Sequence, residues 1–147
     1  MKSRLLSDIE HQRTFAVVFD TGDEVMEGLR RFAGEQQISG ASLTAIGALQ
    51  SVTLGYFEIE RRDYKRIRMD EQVEVLTLAG NIALSGNERK IHAHLVVGRA
   101  DGTAHGGHLM EARVRPTLEV IVVESPTHLR RVSDPETGLA LIDLDRG

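Results

Sequence analysis

Cysteine is absent from the 147 residues, which removes disulfides, thiolate nucleophiles and cysteine-ligated zinc from consideration. Positive charge is not in excess either: 18 lysines and arginines face 22 acids, giving a net charge of −4 and a pI near 5.9. A uniformly basic nucleic-acid binder is thereby excluded, and any such contact needs a local patch. No apolar run approaches the ~20 residues of a membrane span. The opening Met1-Lys2-Ser3-Arg4-Leu5-Leu6-Ser7-Asp8 turns polar too soon for a secretory leader. Internal repeats, low-complexity linkers and nucleotide fingerprints are missing too, and Gly98-Arg99-Ala100-Asp101-Gly102 lacks the spacing of a phosphate loop. What is present is ordinary globular composition, 41% hydrophobic and 27% charged. The expectation is one soluble, cytoplasmic domain over residues 1–147.

Arg13–Phe19 is a short β-branched and aromatic run that predicts a strand. Thr21 and Glu24 have capping-box spacing, and Val25, Met26, Leu29, Phe32 and Ala33 recur at helical intervals behind them. Gly28 weakens this principal helix from inside, and Gly34 is its end signal. From Ser42 onward the pattern is strand-like. Ser42–Leu49 and Val52–Ile59 read as two strands divided by Gln50-Ser51, and Glu71–Leu84 as one long strand or a bent pair with Gly80 a candidate bulge or bend. Ser85-Gly86-Asn87 turns the chain into Lys90–Gly98, and Asp101-Gly102 is a two-residue hairpin signal. Thr117–Glu124 is almost continuously apolar and reads as buried on both faces; Leu139–Leu144 is a last apolar segment. The architecture predicted is α+β, a mostly antiparallel sheet with one principal helix packed on it.

Four of the six histidines fall between His92 and His108. On a strand the side-chain period is two, so His92 and His94 share a face. Neutral imidazole is a good ligand for zinc and its neighbours, and two from one strand with a third nearby make an open site. A two-residue Asp101-Gly102 loop would set His108 opposite Leu95, on the wrong face, and His105 opposite Gly98. One extra residue at Gly106-Gly107 moves His108 opposite Val96, beside His94, and consecutive glycines permit such a bulge. His92, His94 and His108 are therefore the candidate metal ligands, with His105 in reserve. Glu111, Glu119 and Glu74 are candidate carboxylates for a fourth ligand or a base, and Arg113 or Arg115 for gripping a substrate carboxylate. Histidines on a strand also serve as plain outward-facing polar residues, the reading given to His11 and His128.

Gly47-Ala48-Leu49, Gly55-Tyr56-Phe57, Glu74–Ile82, His92-Ala93-His94, Asp101-Gly102, Gly106-Gly107-His108-Leu109 and Pro116–Val120 occur in that order. This ordered set resembles the PPC domain (plants and prokaryotes conserved) over about residues 10–132, leaving 133–147 as a C-terminal extension. The resemblance implies an α+β fold, assembly as a homotrimer, and a metal site at the subunit boundary that maps onto His92, His94 and His108, with zinc the first expectation. It also implies a DNA-related regulatory role, since plant members follow an AT-hook. No Arg-Gly-Arg segment occurs in this chain, so that mode of DNA contact does not carry over. The fold implied is similar to that of acetolactate decarboxylase, a zinc enzyme with three histidines, an analogy that assigns no reaction.

Two functions compete. For DNA, the local feature is Arg61-Arg62-Asp63-Tyr64-Lys65-Arg66-Ile67-Arg68, where Arg61, Arg62, Lys65 and Arg66 are candidate phosphate contacts. The plainer reading is a charged hairpin kept soluble at a sheet edge. The alternative is a metal-dependent enzyme acting on a small anion. A third possibility is a trimeric scaffold whose histidines are structural.

Overall fold

Phe15, Val17 and Phe19 point into the core while Val18 and Asp20 stay exposed. This period-two burial makes Gln12–Asp20 a strand, β2. β2 is flanked by β1 (Lys2–Ile9), which sequence reading did not assign, and by the second half of β7 (Ala104–Glu124). The computed structural model describes residues 1–10 and 12–146; His11 lies outside the described residues.

Helix α1 (Val25–Glu35) buries Val25, Met26, Leu29, Phe32 and Ala33, the predicted stripe. Phe32 meets Phe15 edge-on, with ring centroids 5.3 Å apart. The ends of α1 differ from the sequence reading. Glu24, not Thr21, caps the helix: its carboxylate accepts from the Glu27 N–H at 2.6 Å, whereas Thr21 Oγ1 donates to the Pro116 carbonyl. The helix also runs past Gly34 to a cap at Gln36, and Gln37 takes the left-handed conformation (φ 56°) instead.

The strands that follow are β3 (Gly40–Glu58), β4 (Asp63–Met69), β5 (Val73–Ser85), β6 (Glu88–Gly98), β7, β8 (Arg130–Ser133) and β9 (Ala140–Asp143). β3 runs unbroken through Gln50-Ser51, where the sequence predicts two strands. Register shifts in its ladder with β7 absorb the bend that a break would have supplied. The sheet order is β1-β2-β7-β3-β5-β8-β9, with β4 added to β3 and β6 joining β5 to β7. β3, β5, β6 and β7 therefore close a circuit of paired strands. Pairing is antiparallel except at β5–β8, so the predicted α+β class holds.

One sheet face carries α1 and the core, and the other is open. Leu118, Val120 and Val122 are buried but Glu119 and Ile121 are exposed, so Thr117–Glu124 is covered on one face rather than both. Val18, Ile46, Leu76 and Ile121 lie uncovered on the open side. Among the described residues no helix is long and apolar enough to cross a membrane.

Gly80 is not a bulge; the irregularity in the β5–β6 ladder falls at Val75/Thr77. Gly80 faces Ala93, and a Cβ added there would sit 2.6 Å from the His92 carbonyl oxygen and 2.8 Å from Ala93 Cβ. Gly80→Ala should therefore cost about 1–3 kcal/mol, the usual range for overpacking. Gly34→Ala, in a helix with open space around the new methyl, should instead gain roughly 0.5–1 kcal/mol. Urea denaturation of both variants checks the contrast.

Candidate metal centre

The β6–β7 hairpin brings the histidines together by a different register from the one predicted. Its loop spans residues 99–103, closed by Arg99 N–H to the Thr103 carbonyl and Gly102 N–H to the Arg99 carbonyl. Gly98 then faces Ala104, and His94 faces His108 directly. No bulge at Gly106-Gly107 is needed, because the longer loop has already made the correction. Gly107 serves close packing: a Cβ there would lie 2.8 Å from the Gly55 carbonyl oxygen. His105 falls opposite the buried Val97, on the other face, and leaves the set of candidate ligands.

His92, one side-chain period before His94, completes the cluster. The ring centroids are 5.1 Å apart for His92–His94 and His92–His108, and 5.3 Å for His94–His108. One ligand nitrogen from each ring can be chosen so that all lie within 4.8 Å of one another. Nε2 of His92 and Nε2 of His94 are 3.1 Å apart. Two imidazoles on one tetrahedral zinc, with Zn–N near 2.0–2.1 Å, have nitrogens about 3.3 Å apart, so this spacing fits. His108 Nδ1 is buried and has no hydrogen-bond partner, a costly state that an ion bound at that nitrogen would relieve. The donor set therefore fits a divalent ion of the zinc type.

Electrostatics favour the neutral rings that ligation requires. Burial, reinforced by His92 and His94, lowers the pKa of His108 to about 4. Burial, then Arg131 and His94, lowers that of His92. Tyr64 lies over His108 at 4.9 Å, stacked, and Gly55 leaves room for the Tyr64 ring.

The candidate carboxylates and arginines do not join the cluster. Glu111 reaches Arg66 at 3.6 Å. Glu74 pairs with Gly98 and Ala48 at the far end of β5, and Glu119 with Val18 and Ile46 on the open face. Arg113 donates to the Gly22 carbonyl at 3.0 Å, beside a separate polar cleft lined by Glu24, Arg68 and Asp70. Arg115 precedes a cis proline, Pro116, on an exposed stretch of β7. The arginine beside the histidines is Arg131 on β8, held by the Asn81 carboxamide oxygen and 3.4 Å from His92 Nδ1. Nothing in the local sequence around Arg131 signals this; it arrives through the parallel β5–β8 contact.

The basic stretch forms the β3–β4 hairpin. Arg61 pairs with Glu58 at 3.2 Å, Arg66 with Glu111, and Arg68 with Asp70 at 2.7 Å. His128 bonds Ser39 near the sheet end, away from the cluster.

The lowered pKa values have a sign that can be tested. Without metal, the folded protein binds fewer protons at these rings than the unfolded chain does between about pH 6.5 and 4. Stability is then complete above pH 6.5 and falls as the pH drops through that window. Urea midpoints of metal-free protein across it should show the decline, and His108→Asn should flatten it.

Residues 7–126 match the model of the Plants and Prokaryotes Conserved (PCC) domain. A candidate DNA-binding protein from Bacteroides thetaiotaomicron is 28% identical, with a TM-score of 0.91 over 99% of this chain and 98% of that one. A metal-containing protein from Archaeoglobus fulgidus is 33% identical, with a TM-score of 0.81 over 88% and 91%. The bifunctional protein GlmU of a Synechococcus strain is 30% identical over 85% of this chain, which spans only 19% of that relative's length. Alpha-acetolactate decarboxylase from Bacillus subtilis, 12% identical with a TM-score of 0.53 over 75% of this chain and 51% of that one, shares the fold alone. The family read from the ordered motifs is thus the one matched: the chain belongs to the Plants and Prokaryotes Conserved (PCC) domain family.

Proposed function

We propose that this chain is a metal-binding member of its family, with one divalent ion, zinc the first expectation, held by His92, His94 and His108. One observation carries the reading: three imidazoles on paired strands with ligand nitrogens within 4.8 Å of one another. The unengaged Nδ1 of His108 and the likeness to a metal-containing archaeal protein support it. An ion with an open coordination position polarises a carbonyl or activates water, so a small oxygen-bearing anion is the substrate class for an enzymatic role.

Homotrimer assembly belongs to the same proposal. The uncovered Val18, Ile46, Leu76 and Ile121 share the sheet face that carries the exposed His94. Further copies laid against that face would bury the apolar strip and bring the ion to the boundary, coupling metal binding to assembly. Protein purified without chelator or affinity tag should carry about one zinc per chain and run as a trimer in light scattering. EDTA should lower its Tm by several degrees, and His94→Ala and His108→Ala should lose the metal. A metal-free preparation whose Tm ignores both EDTA and added zinc would end this reading.

A DNA-related regulatory role is the second reading, supported by the candidate DNA-binding protein among the similar structures. The charge pairing of the β3–β4 hairpin argues against that hairpin as the contact, since Arg61 and Arg66 already face carboxylates. Replacing Arg61, Arg62, Lys65 and Arg66 with glutamine should therefore leave any duplex mobility shift unchanged. A salt-sensitive shift lost in that variant would restore the hairpin as the DNA surface.

A further inference from the structure

Arg131 is 7% exposed and has no carboxylate partner within ion-pair distance among the described residues. Nη1 donates to the Ala140 carbonyl at 2.6 Å, and Nη2 to Asn81 Oδ1 at 2.5 Å. Nη2 also lies 3.4 Å from His92 Nδ1, long for a charged donor. Its Nε–H is buried with no acceptor at all. A buried cation with no acid beside it is expensive unless an anion supplies the missing charge.

There is space for that anion. A cavity of about 170 Å³ is lined by His92, His108, Arg131 and Lys90, with Leu139 and Leu141 contributing an apolar wall; Lys90 is already paired with Glu88 at 2.8 Å. This is below the ~300–1,000 Å³ of pockets for drug-sized ligands, so the occupant is short. The apolar wall suits a hydrocarbon tail better than it suits a fully charged inorganic ion. Leu139, Leu141 and Arg131 all belong to the β8–β9 segment, outside residues 7–126 matched by the family model. The pocket is therefore built by this chain's C-terminal hairpin against the shared domain.

We infer that the β8–β9 hairpin turns the histidine cluster into a receptor for a short-chain monocarboxylate. Arg131 holds the carboxylate through the Nη hydrogens that Ala140 and Asn81 leave over, and Leu139 and Leu141 cover the tail. The inference rests on the metal reading only for a second anchor: an ion held by His92, His94 and His108 would offer an open position to a carboxylate oxygen; the contact with Arg131 stands without it.

Isothermal titration with butyrate, its neutral counterpart butyramide, and inorganic phosphate tests the receptor on zinc-loaded and metal-stripped protein. Butyrate should bind saturably, at least tenfold tighter than butyramide and tighter than phosphate. Arg131→Met should weaken butyrate at least tenfold while zinc content, measured by elemental analysis, stays unchanged, and Arg131→Lys should recover part of the loss. The butyrate–butyramide comparison needs no substitution, so it decides the matter even if an Arg131 variant fails to fold. Equal binding of the two, or phosphate binding more tightly than butyrate, overturns the receptor. Zinc present with butyrate unbound removes the receptor and leaves the metal reading intact. Butyrate selected over butyramide by a protein that never holds zinc supports the receptor and removes the ion.

Discussion

The direct antiparallel pairing of His94 with His108 is the constraint on which the rest depends. In such a ladder, opposed residues share a face and their side chains stand close together. Two imidazoles are thus brought together by backbone hydrogen bonds alone, and His92 follows from the two-residue period of the same strand. The side chains need no long-range arrangement of their own. Gly80, opposite Ala93, lets β5 lie close against the strand that carries His92 and His94. On the other side, Gly55 faces His108 and clears space for the Tyr64 ring.

Much of this was legible in the sequence. The helical stripe from Val25 to Ala33 reads correctly because burial of one helix face depends on spacing, which a sequence records directly. The same holds for His92 and His94. The third histidine joins the cluster, but by a register other than the predicted one: hairpin register depends on loop length, and Asp101-Gly102 sits inside a longer loop closed from Arg99 to Thr103. A one-residue slip exchanges faces, which is why His105, expected on the histidine face, fell on the other. The capping-box spacing makes Thr21 the cap and Glu24 its returning carboxylate, and tertiary contact moves the cap to Glu24, which also accepts from the Ala112 N–H at 3.1 Å. Arg131 was invisible because its partners, Asn81 and Ala140, are joined to it by folding and not by any local pattern.

The charge distribution separates the two functional readings. The basic run between Arg61 and Arg68 suggests a phosphate-binding surface until its acids are placed: Glu58 and Asp70 flank it in sequence, Glu111 comes from β7, and each pairs with one of its arginines. At the histidine cluster the situation is reversed. There the polar groups outnumber their partners, with His108 Nδ1 and Arg131 Nε both left over. Unmet hydrogen-bonding capacity at one place and pairing of three of the five cations at the other is a physical reason to look for a ligand at the first.

The closed circuit of β3, β5, β6 and β7 has a dynamic consequence. His94 is flanked by Ala79 and His108, and His108 by His94 and Gly55, so neither residue lies on a free edge. Fraying, the cheapest way for a β-hairpin to breathe, is closed to them. Amide hydrogen exchange at these two positions would then follow the slowest opening of the molecule, and the imidazoles would keep their spacing through fluctuations that loosen β1 or the chain ends.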